Sequence, residues 1–310
     1  MNLRQFRYFV MVANERNFTR AAEKLNIAQP PLSRQIQQLE ASLGTTLIER
    51  GTRPLRLTPL GHLFYEHANQ VLSRVAEVRQ MIVSATGAEK RRYVIGFVAS
   101  TIYARLPVLI RQFRQLAPDV ELSLVEIGSL EQIAALKDGK IDVGFGRIRF
   151  DDEQVIRTIL REEKLVVAVP AAHPFTLGQG PVPLSKIASQ PIILYPRSPR
   201  PSYADQVLSL FRDQGLSPTV AHEARELQIA IGMVAAEEGL CIVPESVRQS
   251  RTEDVRYLEI AEPATSPIIM SFRRGVASPE LKVMARVIAD TYKAWGYETT
   301  SVISDLLQSE

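Results

Sequence analysis

The sequence predicts an α/β chain in three parts: a winged helix-turn-helix over 1–58, a long linker helix and hinge over 59–91, and a two-lobed region over 92–310. Three observations carry that expectation. Two short helical patterns meet at a break between Phe18 and Leu43, an apolar seam runs from Phe64 to Ala85, and strand-like and helix-like runs alternate from Tyr93 onward.

At 310 residues the chain exceeds one typical domain. Hydrophobic residues at 45% and charged residues at 23% suit a soluble globular protein. No apolar stretch approaches the roughly 20 residues of a membrane span, and Met1 to Val12, interrupted by Arg4 and Arg7, does not read as a secretory signal. A single cysteine, Cys241, lies in the apolar run Leu240 to Val243, so a buried thiol and a reducing cytoplasm are expected. The net charge of +3 is unevenly placed: residues 1–60 hold nine Arg or Lys against four Asp or Glu, which makes that stretch +5 and the remainder −2. The basic end is the one with the paired helices, as a nucleic-acid reader requires.

Leu3, Phe6, Phe9, Val10 and Ala13 define a first amphipathic helix. Phe18, Ala21, Ala22 and Leu25 define a second, with Thr19 placed to cap it. The third opens on Gln29, Pro30 and Pro31, buries Leu32, Ile36, Leu39 and Leu43 on one stripe, and ends at Gly44. Its other face shows Pro30, Ser33, Arg34 and Gln37, short polar side chains around one Arg that suit base edges and phosphates in a major groove. Any surface helix pair shares this spacing; the surroundings favour a reader. Leu47 to Arg50 and Leu55 to Thr58, either side of Gly51 and Pro54, read as a β-hairpin wing with Arg53 at its tip. Arg50 and Arg56 read as phosphate contacts or solvated charges.

Thr58 and Pro59 start a long helix in which Phe64, Ala68, Val71, Val75, Val78, Ile82 and Ala85 alternate steps of four and three. Such a seam is expected to pair with a second copy, which suits a dimer reading two half-sites, the alternative being a helix that lies on its own domain. After a charged linker from Gly87 to Arg92, strands are expected at Tyr93 to Phe97, Val120 to Ile127, Ile141 to Phe145, Leu165 to Val169, Ile192 to Tyr195, Leu240 to Val243 and Ile268 to Phe272. Helices are expected between them, as at Leu106 to Leu116, Leu130 to Leu136, Tyr203 to Phe211, Leu227 to Ala236 and Glu280 to Ala294. The alternation implies largely parallel sheets in two lobes, lobe I about 92–162 with 266–310 and lobe II about 163–265.

Three strands lead into hydroxyl-bearing helix starts, at Ser100 and Thr101, at Ser129, and at Ser202 and Tyr203, while Arg147 follows the strand ending at Phe145. Free N–H groups and a full positive charge make an acid-binding site if these converge in a cleft between the lobes, with a small carboxylate as ligand. Ordinary capping accounts for each start taken alone. His62, His67, His173 and His222 have no metal-ligand spacing, and neither a phosphate-cradling glycine loop nor a Gly-x-Ser-x-Gly turn occurs, so no metal site, cofactor or catalysis is expected.

The run Phe18 to Ala22, then Gln29 to Ile36 with Leu39, Glu40, Leu43 and Gly44, closed by Leu57 to Gly61, resembles the N-terminal module of LysR-type transcriptional regulators. The resemblance extends through the linker helix into a C-terminal region similar to periplasmic binding proteins. Ile95 to Val98, Ile141 to Arg147, Leu194 to Pro196, Pro199 to Tyr203 and Gly232 to Ala236 look like the regulators of benzoate and catechol degradation that answer cis,cis-muconate. The resemblance implies DNA contacts at Gln29, Pro30, Ser33, Arg34 and Arg53, with Pro31 and Gln37 on the same face. It also implies a muconate site at Ser100, Ser129, Arg147, Ser202, Tyr203 and Ile268, beside Thr101, and a secondary benzoate pocket at Leu106, Arg161 and Tyr292. Ala99 and Ser129 replace the Gly and Thr of the benzoate-responsive member, which points to a substituted or chlorinated muconate. The implied partners are promoter DNA, RNA polymerase and further copies of the chain, a dimer through the linker helix within a tetramer. Three readings compete: an activator of aromatic catabolism, a LysR-type repressor or activator answering another metabolite, and a solute-binding or enzymatic α/β protein with an incidental basic end.

Overall fold

The computed structural model of the chain describes residues 1–52, 54–85, 90–250, 253–276 and 278–308. By contact they divide into two units, Met1–Arg91 with Lys137–Gly139, and Arg92–Leu136 with Lys140–Glu310.

In the first unit, α1 (Leu3–Glu15), α2 (Phe18–Lys24) and α3 (Gln29–Leu43) enclose a core of Phe9, Val12, Ala22, Leu32, Ile36 and Leu39. Asn2 caps α1 through a reciprocal pair of bonds with Gln5. Asn17, not Thr19, caps α2: its Oδ1 accepts from the N–H groups of Thr19 and Arg20 at 2.8 and 3.1 Å, which places Thr19 inside the first turn. The first turn of α3 carries proline, and Gly44 closes the helix in the left-handed conformation, φ 67°. Leu43 departs from the expected stripe. It is 38% exposed because the last turn of α3 reaches past the core that ends at Leu39.

β1 (Ile48–Glu49) and β2 (Arg56–Leu57) form the antiparallel hairpin, with Ile48 opposite Leu57. Arg53, expected at its tip, lies outside the described residues, as do residues 86–89 of the charged linker. α4 (Pro59–Ala85) starts where the Thr58 hydroxyl accepts from the N–H of Gly61 at 2.9 Å. Phe64 anchors it edge-on to Phe6 and Phe9, at centroid distances of 5.2 and 5.0 Å. Of the seam, Ala68 is buried, whereas Val71, Val78 and Ile82 are exposed; the side chain of Ala85 lies outside the described residues.

The second unit runs β3 (Arg91–Phe97), α5 (Ala99–Tyr103), α6 (Leu106–Leu116), β4 (Val120–Glu126), α7 (Ser129–Lys137), β5 (Val143–Gly146) and β6 (Val155–Pro170). It continues with α8 (Leu184–Ala188), β7 (Ile192–Leu194), α9 (Tyr203–Asp213), β8 (Val220–Glu223), α10 (Leu227–Ala235), β9 (Cys241–Pro244) and β10 (Val255–Glu259). It ends with β11 (Thr265–Arg273), α11 (Pro279–Ala294) and α12 (Ser301–Gln308). One sheet has the order β10-β6-β11-β5-β3-β4, with β9 also on β6, and β7 pairs with β8 in parallel.

The sheet is mixed, contrary to the largely parallel arrangement expected. β3 and β5 are parallel, but β6 is antiparallel to β9, β10 and β11, and β11 is antiparallel to β5. The cause is β6, a 16-residue strand that begins on β11 in lobe I and finishes between β10 and β9 in lobe II. The chain returns along β11, whose register with β6 is broken by a bulge between Ile268 and Ile269. Each lobe buries its own core, lobe I around Ile95, Phe113, Phe145 and Met270, lobe II around Val167, Ile192, Phe211 and Ile242.

Candidate functional site

On the first unit, α3 presents Gln29, Pro30, Pro31, Arg34 and Gln37 to solvent with Ser33 half-buried beside them. The opposite stripe of Leu32, Ile36 and Leu39 is fully buried, so the helix cannot turn this face inward. Arg50 is not a free charge. Its guanidinium lies 2.7 Å from Glu40, which is 8% exposed and also accepts from the N–H groups of Leu47 and Ile48 at 2.8 and 3.2 Å. Glu40 therefore joins the reading helix to the wing. The sequence marks it only as a carboxylate next to a buried stripe.

In the second unit, a cavity of about 380 Å³ opens between the lobes. Ser100, Ser129 and Arg147 line it from lobe I, and Ser202 and Tyr203 from lobe II, so five of the residues expected at a carboxylate site face one space. Arg147 is 2% exposed. Its Nε donates to the Ser100 hydroxyl at 2.8 Å, its backbone N–H to the Ser129 hydroxyl at 3.2 Å, and its Nη2 to Glu163 at 2.6 Å, while Nη1 is buried with no partner. Burial pushes the Glu163 carboxyl up, but the Arg147 guanidinium and the bonds from Ser246 more than offset that and hold it below the usual range. Arg161 stands 4.0 Å from the same carboxylate. Two cations thus share one anion, while Glu126, Glu131, Arg225 and Glu226 add charges of both signs around the cavity.

Lobe II contributes α9, which opens with a capping box: the Ser202 hydroxyl accepts from Ala204 N–H, and Asp205 accepts from Ser202 N–H. Ser202 also donates to the Pro196 carbonyl and Tyr203 to the Ile242 carbonyl, both at 3.3 Å. Tyr195, just after β7, lines the same wall with its hydroxyl buried beside that of Tyr203, the two rings 5.0 Å apart. Burial keeps both phenols protonated, well above their ordinary pKa.

The remaining expected residues lie elsewhere. Thr101 is buried with its hydroxyl on the Val98 carbonyl at 2.7 Å, and Ile268 packs in the lobe I core, so neither side chain lines the cavity. Leu106 and Tyr292 are buried in that core too. Tyr292 packs at a tilt against Trp295 and Tyr297, centroids 5.3 and 5.7 Å away, and Arg161 lies over Tyr297 with its Nε buried and unpartnered. Tyr195, Glu163 and Leu227 at the start of α10 were not expected. Glu163 carried one usable signal, a carboxylate at a buried register within an extended run. No helix among the described residues is long and apolar enough to cross a membrane.

Residues 3–62 match the bacterial regulatory helix-turn-helix protein, lysR family, and residues 86–293 the LysR substrate binding domain. The chain is 47% identical to a probable cat1 operon transcriptional activator of Acinetobacter lwoffii, over 94% of this chain and 96% of that protein. The crystal structure of full-length BenM, from Acinetobacter baylyi, superposes with a TM-score of 0.65 at 42% identity over 97% of this chain and all of that one. The effector-binding domain of BenM has also been solved with its effector benzoate. Full-length CbnR in complex with target DNA gives a TM-score of 0.69 at 30% identity, over 94% of this chain and all of that one. With both domains matched and nearly the whole length shared, the chain belongs to the LysR family: it is a DNA-binding transcriptional regulator and not an enzyme.

Proposed function

We propose that this regulator activates genes for catechol or benzoate degradation when cis,cis-muconate, or a substituted muconate, enters the cavity between its lobes. One observation carries the reading: Ser100, Ser129, Arg147, Ser202 and Tyr203, separated by up to a hundred residues in sequence, line one cavity whose buried guanidinium has an unused donor. A buried guanidinium with one donor unmet favours an acid, whose oxygens are strong acceptors for it. The relatives agree in kind, one a probable cat1 operon activator and another solved with benzoate as its effector.

In this reading Gln29, Pro30, Pro31, Ser33, Arg34, Gln37 and Arg53 contact promoter DNA. The exposed Val71, Val78 and Ile82 of α4 pair with a second copy, two such dimers form a tetramer, and the assembly acts in the cytoplasm on RNA polymerase. Benzoate takes a secondary place at Leu106, Arg161 and Tyr292, where the unpartnered Arg161 Nε supports an acid. Ligand binding shifts the balance between two assembled states, which requires tighter binding to one of them.

Titration calorimetry of the full chain with cis,cis-muconate tests this. Binding is expected for the native protein and is expected to vanish in Ser129→Ala or Arg147→Ala, while gel shifts with the promoter duplex are retained. Equal muconate affinity in native protein and variants removes the site.

A further inference from the structure

Three strand ends supply the lobe I wall of the cavity: β3 runs into Val98 to Ser100, β4 into Ile127 to Ser129, and β5 into Arg147 and Ile148. Gln132 stands behind all three. It is 1% exposed and does not line the cavity itself. It follows Ser129 by one turn of α7, so the two side chains share the face turned to β5. Its Nε2 donates to the Ile127 and Phe145 carbonyls, each at 3.1 Å. The Phe145 carbonyl also accepts from Val98 N–H at 3.0 Å, and Ile127 N–H donates to the Phe97 carbonyl at 2.9 Å. A single amide thus fastens the three segments to one another. On these segments Arg147 meets both serines, its N–H on the Ser129 hydroxyl at 3.2 Å and its Nε on that of Ser100 at 2.8 Å. β5 makes room for the amide with glycine. A Cβ on Gly144 would stand 2.5 Å from Gln132 Oε1 and 3.2 Å from its Cδ.

We propose that Gln132 is a positioning residue for the ligand, its two amide bonds fixing Ser129 and Arg147 relative to each other before an acid arrives. The residue type follows from the geometry. Two carbonyl oxygens lie within reach of one nitrogen, and among uncharged side chains only a primary amide offers two N–H donors from one atom. A wall held ready loses less freedom when a ligand binds, which raises affinity without any further contact. The inference rests on the acid-binding reading above and adds to it a residue that never touches the acid.

The test titrates full-length native protein, Gln132→Met and Gly144→Ala calorimetrically with cis,cis-muconate, each well below its own melting temperature. Methionine keeps the length of the side chain without its donors. Alanine at 144 keeps the amide but pushes it off its carbonyls, since the three atoms its Cβ would meet first all belong to Gln132. Both variants are expected to bind muconate about tenfold or more weakly, the scale of losing a support behind a metal-binding group. An amide that served only the core would lower the melting temperature when lost and leave the affinity of the folded protein untouched. Native affinity in either variant, whatever its melting temperature, therefore overturns the role of Gln132 and leaves the acid site standing. Absence of muconate binding by native protein overturns the acid reading and this inference with it. Where Gln132→Met fails to fold, Gly144→Ala decides alone by the same two outcomes.

Discussion

Arg147 Nη2 lies 2.6 Å from Glu163 Oε2, and the two side chains are 2% and 4% exposed. The backbone N–H of Ser246 donates to the other oxygen of the same carboxylate at 2.9 Å. Replacing Glu163 by Ala leaves a buried guanidinium uncompensated and is expected to cost about 3–5 kcal/mol in urea unfolding. The pair also makes stability depend on pH. The Glu163 carboxyl is held below its ordinary range in the folded state, so its contribution is present above the unfolded value and is lost as pH falls through the folded one. Unfolding measured from pH 6 to 2 is expected to show stability falling below about pH 4, and Glu163→Gln is expected to remove that component of the slope.

Arg34 stands on the exposed face of α3, opposite the buried stripe. Arg34→Ala is expected to weaken promoter binding by about 1–3 kcal/mol if the side chain reads a base edge, with less loss on a scrambled duplex. A gel-shift series at rising salt checks this, because a lost phosphate contact would instead lower affinity for both duplexes alike and flatten the salt dependence.

Gly61 sits where α4 passes the wing. A Cβ there would come within 2.0 Å of the Leu47 carbonyl oxygen, and backbone cannot move aside as a flexible side chain would. Gly61→Ala is expected to destabilise the N-terminal unit by about 1–3 kcal/mol or more and to weaken DNA binding, with muconate affinity unchanged. Circular-dichroism melting paired with calorimetry separates the two outcomes.

Cys241 lies in β9 with 1% of its surface exposed, and burial raises its thiol pKa far above the ordinary value. The native protein is expected to show no reaction with a disulfide reagent at pH 8, and one thiol once urea unfolds it, read by absorbance of the released thiolate.

Much of this architecture was legible because its signals are local. The four-and-three spacing of Leu106, Leu109, Ile110 and Phe113 marks α6, and Gly44 marks the end of α3. β6 was visible only from Leu165 to Val169, because Arg157, Thr158, Arg161, Glu162 and Glu163 interrupt its apolar pattern, and Arg157 and Thr158 find their partners Ser271 and Thr300 far along the chain. Val220 to Glu223 and Val255 to Glu259 are short, half-exposed strands whose pairing, not their composition, makes them strands. The same division holds for the site. Hydroxyls at Ser100, Ser129 and Ser202 announce themselves by position, whereas Tyr195 and Leu227 join the same wall only through the folding of lobe II, which no spacing encodes.

The chain enters lobe II along β6 and leaves it along β11, with Thr265 opposite Lys164 and the irregular step at Ile268 and Ile269 just beyond. Two bonded strands give easily to bending across their faces and hardly at all to sliding, so they behave as a leaf spring with its weak point at the bulge. Because the chain crosses between the lobes on these two strands, any rocking of one lobe on the other must bend this pair.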